Sequence, residues 1–102
     1  MIKVIVQDSN GVELGSFEAE KGKVFTDMAQ EHDIEIPFSC GSGSCGLCLC
    51  EVVEGREVIN ESFLQEPLME MYENEVLTCI SAVKDEYFEK EENYTIILKR
   101  KF

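Results

Sequence analysis

Positive charge is scarce in this chain. It sets nine lysines and arginines against 21 acidic residues, a formal net charge of −12 at pH 7. Phosphate is repelled by such a surface, so nucleic acid is not an expected partner. The balance favours a partner with a basic face, with an encounter rate raised by steering and lowered by salt. The same acidity also serves simply to keep a small protein dispersed. A run of about 18 apolar residues is lacking too, so no membrane span is expected. The first residues, Met1 to Gln7, hold neither a long apolar core nor a small-residue cleavage site. They read as a strand and not as a secretory signal, which points to the cytoplasm. Histidine occurs once, as His32, which excludes a centre requiring two imidazole ligands. No open metal position, general base or activated nucleophile is evident, so an enzyme is not expected. No repeat or linker interrupts the 102 residues, 44% of which are hydrophobic. One domain over 1–102 with one modest core follows.

What is present reads as alternating short elements. Ile2, Val4 and Val6 alternate along a strand over 2–7. Asp8-Ser9-Asn10-Gly11 is a turn built on the Asn-Gly dipeptide, and 12–18 returns as its hairpin partner. Val24, Phe25, Met28, Ala29 and His32 share one face of a helix over 24–32, with His32 as its end residue. Pro37 biases Ile36 towards extended geometry. A strand over 49–53 ends at Glu54-Gly55, and Pro67 opens a short helix with Leu68 and Met71 inward. A strand over 77–83 carries Cys79, a charged connection runs over 84–93, and 94–99 is the last strand. These elements make a compact α+β domain. Lys99-Arg100-Lys101 reads as a frayed basic end.

Cysteine is crowded, not spread. Cys40, Cys45, Cys48 and Cys50 lie within Phe38–Cys50, interleaved with three glycines and three serines. A segment of this composition is neither a helix nor an ordinary strand. The fifth cysteine, Cys79, stands apart. An odd, clustered set in a chain with no secretory signal favours a metal site over disulfides. The spacing Cys40-x4-Cys45-x2-Cys48, followed at a distance by Cys79, matches a 2Fe-2S cluster signature. Two irons need four thiolates in a tight cage: a short loop delivers three, and a distant segment the fourth. Gly41, Gly43 and Gly46 lack Cβ, so backbone N–H groups can approach the bridging sulfides. Structural zinc is the competing reading, although zinc sites usually pair their cysteines and Cys79 has no companion. A redox-active Cys45–Cys48 pair leaves Cys40 and Cys79 unexplained. Cys50 reads as a small buried apolar residue, or alternatively as a spare ligand two positions from Cys48.

With these residues in view, the chain resembles the plant-type 2Fe-2S ferredoxins. The likeness is carried by Ile36-Pro37-Phe38-Ser39-Cys40, Gly43-Ser44-Cys45, Cys48, Val52-Val53-Glu54-Gly55, Glu61-Ser62-Phe63-Leu64 and Val76-Leu77-Thr78-Cys79. It runs nearly the whole length in the family's order. The resemblance implies a β-grasp fold, a ubiquitin-like mixed sheet with a packed helix, and one 2Fe-2S cluster near one end. Cys40 and Cys45 would hold the outer iron, Cys48 and Cys79 the inner one. It implies a soluble, monomeric carrier of single electrons at about −400 mV. The carrier would run between a flavoprotein ferredoxin reductase and an acceptor redox enzyme with basic docking surfaces. Phe63 matches the family's aromatic residue beside the cluster, and is equally placed to anchor the following helix. Two acidic groups would flank the docking face: Glu61, Glu66, Glu70, Glu73 and Glu75, and Asp85, Glu86, Glu89, Glu91 and Glu92. Gly41 departs from the family's common Arg, and Gly46-Leu47 resembles bacterial ferredoxins and oxygenase reductase domains, which implies a non-photosynthetic role. The alternative class is a binding protein that senses redox state or protects a partner enzyme.

Overall fold

A strand with one apolar face folds only if something covers that face. In the computed structural model, which describes residues 1–34, 36, 49–64 and 74–101, β1 (Ile2–Gln7) buries Ile2, Val4 and Val6 and leaves Lys3 exposed. It pairs antiparallel with β2 (Glu13–Glu18), Val4 opposite Phe17. Helix α1 (Phe25–Glu31) follows, with Phe25, Met28 and Ala29 at 0% exposure. Then come β3 (Leu49–Glu54), β4 (Ile59–Asn60), β5 (Glu75–Leu77), β6 (Ala82–Val83) and β7 (Tyr94–Arg100), with 3₁₀ turns at Arg56–Val58 and Asp85–Glu89. The main sheet runs β2-β1-β7-β3-β5, and β4 pairs with β6 separately. One neighbouring pair, β1 and β7, is parallel, and every other neighbouring pair in this sheet is antiparallel. A mixed five-stranded sheet sharing one core with the single α-helix found among the described residues is the expected β-grasp.

The β1–β2 turn is wider than a two-residue Asn-Gly hairpin, residues 8–12 lying between the paired Gln7 and Glu13. Only Gly11 is left-handed, at φ 86°. The Asp8 carboxylate accepts the N–H groups of Asn10 (2.8 Å) and Val12 (3.0 Å). Those donors, Val12 foremost, hold the Asp8 pKa below its ordinary 3.8. A depressed carboxylate contributes stability that is complete above the ordinary value and is lost as pH falls through the folded one. Asp8→Asn is therefore expected to lower Tm near neutrality and to flatten its fall between roughly pH 5 and pH 2. Thermal melts of both chains across that range check this.

At the far end of α1, His32 is indeed a helix-end residue. Its ring stacks on Phe17 with centroids 5.4 Å apart. Asp33 turns left-handed at φ 58°, and the Ile34 N–H returns to the Ala29 carbonyl at 2.8 Å. These contacts close the helix's last turn without a glycine.

One expectation about charge is overturned. The basic end is not frayed: Lys99 and Arg100 lie in β7, paired with Glu51 and Cys50 of β3. A strand hydrogen-bonded on both sides cannot fray as a free terminus does. The acidic stretch 85–92 lies at the end of the sheet away from Leu49. It precedes Tyr94, where β7 begins, whereas Leu49 meets β7 at its other end.

Candidate metal centre

Of the residues read as ligands, only Cys79 falls among those described. Cys40, Cys45 and Cys48, with Gly41, Gly43, Gly46 and Leu47, lie outside them, as do Pro67, Leu68 and Met71. Cys79 does not sit mid-strand as expected. The run 77–83 breaks into the end of β5, a turn over Thr78–Ile80, and β6. The Leu77 carbonyl explains the break. It accepts the N–H groups of Ile80 and Ser81 at 3.1 Å each and the Ser81 hydroxyl at 2.9 Å. A serine reaching back four residues competes with the strand ladder.

That turn is fixed from three sides. The Thr26 N–H donates to the Thr78 carbonyl (3.2 Å), the Phe25 N–H to the Ser81 carbonyl (3.1 Å), and the Leu64 N–H to the Ile80 carbonyl (3.1 Å). The first two are donors that a helix start leaves unsatisfied. Val24 caps α1 with no side-chain hydrogen bond, so the turn's carbonyls do this work instead. Helix and turn hold each other. Thr78, Ile80 and Ser81 are fully buried and Cys79 is 4% exposed. Phe63, half-buried, directly precedes the residue bonded to Ile80.

The register of the sheet brings the two halves of the candidate site together. Leu49, the residue after Cys48 in sequence, pairs with Leu77, two residues before Cys79. The exit of the cysteine loop and the approach to the isolated cysteine therefore meet at one end of adjacent strands. The donor chemistry fits an iron–sulfur centre. A cysteine sulfur is the donor such a centre takes, and Cys79 carries one on a turn held by backbone hydrogen bonds. Cys50 faces the core from β3 at 0% exposure, the position expected of a small buried residue.

Sequence reading missed one pair. Glu75, assigned above to the acidic docking face, is buried, and its Oε2 lies 3.0 Å from Lys101 Nζ. Glu61, from the same group, pairs with Arg56 at 2.6 Å. Glu66, Glu70 and Glu73 lie outside the described residues. The place of Glu75 beside Val76-Leu77 hints at burial, but the cation that pairs with it is far along the chain.

A family profile described as the 2Fe-2S iron-sulfur cluster binding domain matches residues 9–84. The vegetative ferredoxin of Trichormus variabilis is 40% identical over 63 residues, 61% of this chain and 62% of that protein. The toluate 1,2-dioxygenase electron transfer component of Pseudomonas putida is 33% identical over 64 residues, 61% of this chain and 19% of that protein. This chain thus spans under two thirds of the length of either relative. Among solved structures, the ISC-like 2Fe-2S ferredoxin of Pseudomonas putida superposes with a TM-score of 0.71 at 21% identity, covering 100% of this chain and 94% of that one. That likeness is one of fold.

Proposed function

Because the chain belongs to the family of 2Fe-2S iron-sulfur cluster binding domains, we propose that it is a one-electron carrier in which Cys40, Cys45, Cys48 and Cys79 hold one cluster within a single domain over 1–102. The observation that carries this reading is the pairing of Leu49 with Leu77, since a four-thiolate cage needs the loop and the isolated cysteine at one place. When bound, the cluster supplies a reversible one-electron couple. The chain's own part is to hold a ligand still. The Cys79 turn is hydrogen-bonded to α1 and to residue 64, so little rearrangement accompanies a change of charge.

The donor in this reading is a flavoprotein ferredoxin reductase. The acceptor is a redox enzyme with a basic docking surface. One relative is named as the electron transfer component of a dioxygenase, which supports an oxygenase as the acceptor class. The chain is not itself a catalyst, works as a monomer and resides in the cytoplasm. Metal and sulfide analysis tests the cofactor: about two irons and two sulfides per chain are expected, with visible absorption and an EPR signal on reduction. One zinc and no colour would overturn the reading. Reduction by a flavoprotein reductase should slow roughly tenfold or more between low and high salt, as the net charge of −12 requires of a steered encounter.

A further inference from the structure

We propose that Lys101 is a positioning residue for the cluster, clamping the two strands that deliver its ligands. This rests on the cluster reading above. Strand order places β3 between β7 and β5. Lys101 follows the last residue of β7, yet its ammonium reaches Glu75 in β5. Two strand spacings separate those elements, about 10 Å, so the paired side chains cross over β3. They cross beside Leu49 and Glu51, the residues of β3 opposite Leu77 and Glu75. The Lys101 backbone holds the same place, its N–H donating to the Leu49 carbonyl at 3.3 Å. One residue thus touches the strand that leaves the cysteine loop and the strand that enters the Cys79 turn.

The pair is asymmetric. The Glu75 side chain is 7% exposed and that of Lys101 is 36%. Removing the ammonium takes a cation from a carboxylate that solvent hardly reaches, whereas the ammonium is itself partly hydrated. Two effects of Lys101 follow, compensation of a buried charge and a mechanical tie, and they separate experimentally.

The test uses iron-loaded protein and follows bleaching of the visible spectrum in excess chelator. Lys101→Met should lose colour about tenfold faster than wild type, the scale on which partners behind metal ligands act. Lys101→Arg keeps both charge and reach and should stay within about twofold. The double variant Glu75→Gln with Lys101→Met removes the buried charge as well as the ammonium, so the loss of charge compensation is absent from it. It should still bleach several-fold faster and show a shifted EPR signal, because the tie is gone. Lys23→Met breaks an exposed ion pair with Glu20 and Glu31 and should leave the rate unchanged. A double variant that bleaches at the wild-type rate, or a Lys23→Met chain as fast as Lys101→Met, overturns the clamp. A wild-type chain without iron and sulfide overturns instead the cluster reading beneath it.

Discussion

Cys79→Ala is expected to yield a folded chain that holds less than about a tenth of the wild-type iron. In the proposed site, three thiolates would be too few to close the cage once Cys79 is lost. Changing a mere supporting partner of a ligand costs 10–100-fold in metal affinity, and losing a ligand costs more. The fold itself should persist. The turn that carries Cys79 is held by backbone hydrogen bonds from Thr26, Phe25 and Leu64 and by the Ser81 hydroxyl, none of which uses the thiol. Removing a buried sulfur leaves only a small void, about 1 kcal/mol. Far-UV circular dichroism should therefore match wild type while the visible spectrum vanishes. Cys50→Ala is the matched control. It deletes an equally buried thiol from β3, in the same sheet end, at the same cost in packing, and should keep the full spectrum. A colourless Cys50→Ala chain, or a coloured Cys79→Ala one, would show that the isolated ligand has been assigned to the wrong cysteine.

How far the sequence carried depends on whether the decisive partner was near or far along the chain. Alternation of Ile2, Val4 and Val6, and the shared face of Phe25, Met28 and Ala29, are local patterns, and both elements form where they point. The region 75–83 is different. Every residue there is buried, so no exposed face supplies a period. A continuous apolar run reads as one strand whether or not it bends. The bend comes from Ser81 reaching the Leu77 carbonyl and from α1 lending its unpaired N–H groups. The latter donors lie some 50 residues upstream. Glu75 was read as a surface acid for the same reason, its cation lying 26 positions away in a segment taken for a loose end. The cysteine spacing is a property of one short stretch of sequence, visible without the fold. The meeting of Leu49 with Leu77 is a register between strands, and no spacing in the sequence encodes it.

Gly55→Ala is expected to be the most destabilising single-methyl change among the glycines described. Gly55 sits at φ 86°, ψ 22°, just before the 3₁₀ turn that takes the chain out of β3. An alanine there adopts a left-handed conformation costing roughly 1–2 kcal/mol. Its Cβ would also lie 2.5 Å from the Thr95 carbonyl oxygen and 3.0 Å from the Ile96 Cα. Both atoms are backbone of β7, which is paired with β1 on one side and β3 on the other. That strand cannot move aside without breaking a ladder. The sum is about 3 kcal/mol, or a fall in Tm of roughly 15 °C for a domain of this size. Gly11→Ala and Gly22→Ala separate the two contributions, since both glycines are left-handed, at 86° and 82°, with nothing within 4 Å of an added Cβ. They should show the conformational cost alone, roughly 5–10 °C. Equal losses at all three positions would show that the contact with β7 relaxes freely. Gly55 follows the end of β3 remote from Leu49, about 20 Å along the strand. Its replacement should therefore leave the visible spectrum of the folded protein intact. The temperature at which colour is lost should fall by the same amount as Tm, because the cluster site opens only when β3 leaves β7 and β5.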